Sequence, residues 1–197
     1  FYKVFLNFIF VINLILILSF FNLNIINILI VTFLFILILT TYNFFTNFKY
    51  ENKKIDTRII FFLIFFIIIA LDVSFNLELG WDAQKLWFPK TLNFYQGNNL
   101  ENLEKLHWPE YPYLGSLLWA FFWKISFSEY EYLGRFVYIF IFCLSVFSIT
   151  DILKVSFIKQ ILFASINIAL VYNYHLFSGY QEILIYSTQI QEWQMPI

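Results

Sequence analysis

Three apolar runs fill most of the first 75 residues, at 4–21, 25–45 and 59–75, and two more follow at 133–150 and 161–178. Each is about 17–21 residues long, which at ~1.5 Å of rise per residue is the length a helix needs to cross the ~30 Å hydrocarbon core of a bilayer. In lipid a backbone must satisfy its own N–H and C=O groups, so a spanning chain is limited to packed helices or a closed barrel. Continuous rather than alternating apolarity selects helices. The fold class is therefore all-α, a polytopic transmembrane helical bundle. Only 13% of the residues are charged, against roughly a quarter in soluble domains. A formal net charge of −1 argues against a nucleic-acid partner, which a basic surface would announce. The single Cys143 lies in an apolar run and offers neither a disulfide framework nor a cysteine metal site. The 28 phenylalanines read as the signature of an AT-rich coding sequence rather than of a function. The chain starts at Phe1 and stops at Ile197 soon after an apolar run, as expected of a piece of a longer protein.

Charge assigns the sides. The loop NFKYENKKIDTR carries Lys49, Lys53, Lys54 and Arg58, and an excess of basic residues marks the cytoplasmic face. Span 59–75 then runs outward and 76–112 is extracytoplasmic. The stretch 113–127 is short for a span, and if it crossed, Lys154 and Lys159 would face outward against the charge rule. The reading that satisfies every loop lays it in the outer interface, with Trp119 and Trp123 at headgroup depth and Lys124 snorkelling. All five glycines and all six tryptophans then fall on or near the outer side. The chain divides into 1–58, two helices and a basic loop, and 59–197, a core with a large outer loop over 76–132.

That loop, beginning NLELGWDAQKLWFPK, gathers the polar chemistry. A short helix is expected over 82–88, bent or ended by Pro89, which lacks an N–H. Asp82 is either that helix's N-cap, accepting its first free N–H groups, or a carboxylate partly desolvated at the membrane surface and so a stronger base. Lys85 and Lys90 either hold a phosphate by point charge or snorkel to lipid headgroups. His107 stands alone on a proline-punctuated turn with no second histidine nearby. Glu110, between two prolines, is fixed enough to orient a ligand. Arg135 opens a span, where its fork suits a lipid-linked phosphate unless Glu129 or Glu131 pairs with it. Asp72 ends a span, and Glu182 returns a carboxylate to the outer side. No P-loop, GxGxxG or HExxH motif is present. An outward-facing site has no nucleotide-activated donor at hand, so its activated substrate would be lipid-linked.

Four short motifs, in order, resemble the GT-C superfamily of integral membrane glycosyltransferases, in particular the family-39-like group related to protein O-mannosyltransferases and lipid A aminoarabinose transferases. They are Trp81-Asp82-Ala83-Gln84-Lys85-Leu86-Trp87-Phe88-Pro89-Lys90-Thr91, with Thr91 where the group has a small alanine; His107-Trp108-Pro109-Glu110-Tyr111-Pro112-Tyr113-Leu114, with an added Trp108 and Glu for Asp; Gly134-Arg135-Phe136; and Gly179-Tyr180-Gln181-Glu182. The resemblance covers about residues 80–182, and the tail ending QIQEWQMPI departs from it. It implies a GT-C-like bundle with interfacial helices in the outer loop. The protein would be an inverting transferase of the cell membrane, moving a sugar from a polyprenyl-phosphate donor to a glycan, lipid or protein acceptor at the extracytoplasmic face. Asp82 would be the catalytic base. Lys85, Lys90, His107, Glu110, Tyr111, Arg135, Tyr180 and Glu182 would bind substrate. No cofactor is implied, and a divalent metal stays open. The rival reading is a non-enzymatic polytopic protein, a transporter subunit or scaffold. Against a transporter, the span centres are bare of charge.

Overall fold

The computed structural model describes residues 1–46, 57–171 and 179. Among them the fold is all-α. The helices are α1 (Tyr2–Phe20), α2 (Ile25–Thr46), α3 (Thr57–Phe75), α4 (Phe88–Tyr95), α5 (Leu114–Ile125), α6 (Tyr132–Ile152) and α7 (Phe157–Val171), with a π-turn at Ala83–Trp87 and a 3₁₀ turn at Leu100–Lys105. Four of these, α1, α2, α3 and α6, are long and apolar enough to cross a membrane. The expected fifth span, 161–178, is met only by the 15-residue α7, and residues 172–178 lie outside those described.

Polar residues mark the helix boundaries. Asn22, at φ +53, ends α1 in the left-handed conformation that asparagine tolerates. Two residues on, the Asn24 side chain accepts the Asn27 N–H at 2.9 Å and so caps α2.

The packing order fixes the directions. Arg58, at the start of α3, donates to the Asp151 carboxylate near the end of α6 at 2.8 Å. At the other end, Arg135 near the start of α6 donates to the Leu77 carbonyl just beyond α3 at 3.3 Å. Between these ties the rings alternate down the seam, Phe66 against Phe136 and Phe140, and Phe62 against Phe140 and Phe147. The helices α3 and α6 are thus antiparallel, and residues 76–131 leave and re-enter the bundle at one end.

Helix α6 is the axis. Buried residues make up 83% of its membrane-length window, against 22%, 17% and 22% for α1, α2 and α3. Small residues let neighbours approach it: Cys143, Ser145, Ser148 and Thr150 are all buried. Each of those hydroxyls donates to a carbonyl of its own helix, so none is left unsatisfied in the core. The outward faces of α1, α2 and α3 expose Leu, Ile, Val and Phe, as a lipid contact demands. The two N-terminal helices share this core, since Phe8 of α1 packs edge-on to Phe140 of α6 at 5.0 Å.

Three local expectations change. Pro89 does not end a helix: the chain stays helical from Trp81 to Tyr95. Just before the proline the Phe88 N–H reaches back five residues to the Ala83 carbonyl, a π-turn, and such bulges accommodate a break in the regular bonding ladder. Next, α5 turns its tryptophans to protein rather than outward as expected. It is packed between α4 and α6, with eight of its twelve residues buried. Trp119 and Trp123 point into the protein, their ring N–H groups donating to the carbonyls of Glu131 (3.0 Å) and Ser128 (3.1 Å). Finally, Lys124 does not reach for headgroups. It donates to the Tyr95 carbonyl at the end of α4 and sits 4.2 Å from the Tyr95 ring centre, where a cation complements both the helix dipole and the ring face.

Candidate functional site

At the end of the bundle where 76–131 emerges, α4, α5 and the start of α6 bury two of the residues singled out by sequence, Lys90 and Arg135. The helix that carries Asp82 opens at Gly80, whose carbonyl takes the Gln84 N–H at 2.9 Å, while the Gln84 side chain donates to the Leu79 carbonyl at 2.7 Å. Asp82 is therefore already inside the first turn, at φ −63 and ψ −37, and its side chain caps nothing. The N-cap reading falls, because a cap must have extended rather than helical backbone angles. The half-exposed carboxylate takes no hydrogen bond or ion pair among the described residues.

The neighbour of Asp82, Ala83, is fully buried against the turn at Gly179. Gly179 has φ +92, and a β-carbon built there would stand 2.9 Å from Ala83 Cβ and 3.0 Å from the Trp119 ring. Backbone angle and space both demand glycine at this place. Tyr180 and Glu182, which follow it, lie outside the described residues.

Trp119 joins this contact to a charged pair. Its N–H bond to the Glu131 carbonyl holds the residue whose carboxylate Oε1 takes Arg135 Nη2 at 3.1 Å. Arg135 is wholly buried and gives the same nitrogen to the Leu77 carbonyl. Of the two acids that sequence offered as partners, Glu131 has the i,i+4 spacing that faces Arg135 across one helical turn, and Glu129 is exposed. Burial pushes the Glu131 carboxyl above its ordinary value, while the Arg135 charge and the Trp119 N–H pull it back. Its second oxygen is buried without a hydrogen bond.

A second constellation surrounds Lys90. Its ammonium is buried, donating to the carbonyls of Tyr111 (2.7 Å) and Pro109 (3.5 Å) and lying 5.9 Å from the ring centres of both Trp87 and Tyr111. Burial lowers its pKa and the charge of Glu110 raises it. The turn so gripped includes Trp108 at φ +51, with the His107 ring tilted against it at 4.0 Å between centres, and Trp108 in turn 6.2 Å from Tyr111. His107, Glu110 and Tyr111 are all exposed. Lys85 is exposed too, and makes no hydrogen bond among the described residues.

The two constellations meet at Trp87, whose carbonyl accepts the hydroxyls of Ser116 (3.0 Å) and Thr91 (2.9 Å). Neither Ser116 nor the structural part of Trp119 was apparent from sequence, because both depend on α5 packing inward. Among the described residues no three histidine, cysteine or acidic side chains gather as a metal-binding group would. No family model, curated protein or solved structure matches this chain.

Proposed function

We propose that the chain acts in an inverting membrane glycosyltransferase, moving a sugar from a polyprenyl-phosphate donor to an acceptor hydroxyl at the extracytoplasmic face. Asp82 takes the acceptor proton as that oxygen attacks the anomeric carbon. The bond from that carbon to the phosphate oxygen breaks, and the lipid phosphate leaves with its negative charge held by Lys85 and Arg135. Glu110, His107, Tyr111, Tyr180 and Glu182 orient sugar and acceptor. The observation that carries the reading is one juxtaposition: the Gly179 turn lies against both Ala83, next to Asp82, and Trp119, and the Trp119 ring N–H bonds the Glu131 carbonyl beside Arg135. Carboxylate, arginine and glycine turn thus share one end of the bundle, far from the Arg58–Asp151 pair, and the basic loop before Arg58 assigns that opposite end to the cytoplasm.

The test is transfer from a radiolabelled polyprenyl-phosphate sugar by the full-length protein in vesicles. Removing a general base costs about 10²–10⁴-fold in rate, so Asp82→Asn should insert normally and lose at least that much. Near-wild-type transfer by the variant would reject the assignment.

A further inference from the structure

Phe127 follows the Ser126 cap, two positions beyond the last residue of α5, at φ +50, and is 98% exposed. Helices commonly stop with a left-handed residue there, and glycine is the usual choice because a side chain strains that conformation. Here a large aromatic takes the position instead, and the fold makes no use of its ring. Beside it, Ile125 and Tyr130 are also exposed, at 42% and 65%. With Tyr2 and Tyr42 on the spans as precedent for exposed rings at a lipid wall, the question is what solvates this turn.

Height and continuity answer it. Helix α6 has 21 residues, about 31 Å at ~1.5 Å per residue, which matches the ~30 Å hydrocarbon thickness. Its first residue, Tyr132, therefore stands at the edge of the hydrocarbon, and the 125–130 turn is within a few residues of that edge. From the turn a line of rings runs down the bundle flank: Tyr130 to Tyr132 at 5.9 Å, Tyr132 to Phe136 at 5.9 Å, and Phe136 to Phe66 of α3 at 6.2 Å. Tyr132, Phe136 and Phe66 are each only partly buried, so the exposed tip continues the surface that the spans offer to lipid.

We propose that the turn formed by Ile125, Phe127 and Tyr130 is a membrane-surface anchor, inserted among the headgroups and upper acyl chains of the leaflet that borders the candidate site. Amphipathic tyrosine suits the headgroup zone and phenylalanine the acyl boundary below it. The anchor holds α5, and through Trp119 the start of α6, at a fixed depth against the bilayer. It requires the spans but not the reaction proposed above.

The test uses the full chain in a Cys143→Ala background, reconstituted in phosphatidylcholine–phosphatidylglycerol vesicles. A bimane probe is attached at Phe127→Cys, at Tyr130→Cys, or, as the aqueous reference, at Glu104→Cys on the exposed 3₁₀ turn. Insertion means that lipid carrying a nitroxide near its headgroup quenches the probe at 127 and 130 at least about twofold more than iodide does, with the order reversed at 104. Iodide reaching 127 and 130 as readily as 104 would overturn the proposal, since the turn would then face water. Exclusion of both quenchers would overturn it equally, since protein rather than lipid would cover the rings.

Discussion

Gly134→Ala is the sharpest test of how α5 meets α6. By helix propensity alone, alanine in place of this glycine in the first turn of α6 should gain at most about 0.5–1 kcal/mol. The structure reverses the sign. A β-carbon at position 134 would stand 2.4 Å from the Trp119 carbonyl oxygen, 2.5 Å from its Cδ1 and 2.8 Å from Trp123 Cβ. The first and last of these are backbone and β-carbon atoms of α5, so no rotamer change can relieve them and α5 must move away. Overpacking a filled interior costs about 1–3 kcal/mol. The shift also pulls on the Trp119 bond to the Glu131 carbonyl, worth about 0.5–1.5 kcal/mol. Net of the propensity gain, the loss is about 0.5–4 kcal/mol, which at ~2–4 °C per kcal/mol for a chain of this size lowers the melting temperature by roughly 1–16 °C. Thermal unfolding in one detergent, followed by loss of the monodisperse species, reads it directly. Gly97→Ala is the control: Gly97 has φ +92 and open space within 4 Å, so its cost is the backbone alone, about 1–2 kcal/mol. If Gly134→Ala melts at or above wild type, the backbone contact between α5 and α6 does not exist.

Two further outcomes follow from the charged groups. Because burial raises the Glu131 carboxyl, the native state holds that proton to higher pH than the unfolded state does. Stability should therefore fall as pH rises from 4.5 through the raised native value; Glu131→Gln should flatten this part of the melting profile, and parallel wild-type and variant profiles would contradict the cause assigned. Lys90→Met should leave the melt within about 1–2 kcal/mol, since it removes a buried charge along with its hydrogen bonds, yet speed amide exchange across 107–111 by about tenfold, with Lys90→Arg restoring part of the protection. Unchanged exchange would show that Lys90 does not hold the turn.

Four of the five expected spans were legible in the sequence because apolar length is read residue by residue. The pattern that placed Lys154 and Lys159 opposite the 76–131 segment matches the antiparallel run of α3 and α6. What was not legible is which apolar surface meets protein. Tryptophan looks alike whether it faces lipid or a neighbouring helix, so Trp119 and Trp123 read as a belt when they are a core. Likewise α6 is no more apolar than α1, and only its serines, cysteine and Gly134 hinted that it would be enclosed. Pro89 misled because a proline's missing donor is costly in a regular helix, and a π-turn just upstream removes the difficulty. At the site, the sequence offered Glu129 and Glu131 alike as partners of Arg135 and the structure chose Glu131, but nothing in the sequence revealed that Lys90 would spend its donors on carbonyls of its own loop.

The twelve residues of α5, mostly apolar, also carry a consequence for biosynthesis. As the nascent chain emerges, this segment must pass the translocon without being admitted sideways into lipid, although the helix that will shelter it, α6, has not yet been made. Its brevity is the safeguard. Lengthening it by six or so leucines would invite insertion, and every later element would then be threaded the wrong way round, so the order of synthesis itself limits how greasy this stretch can become.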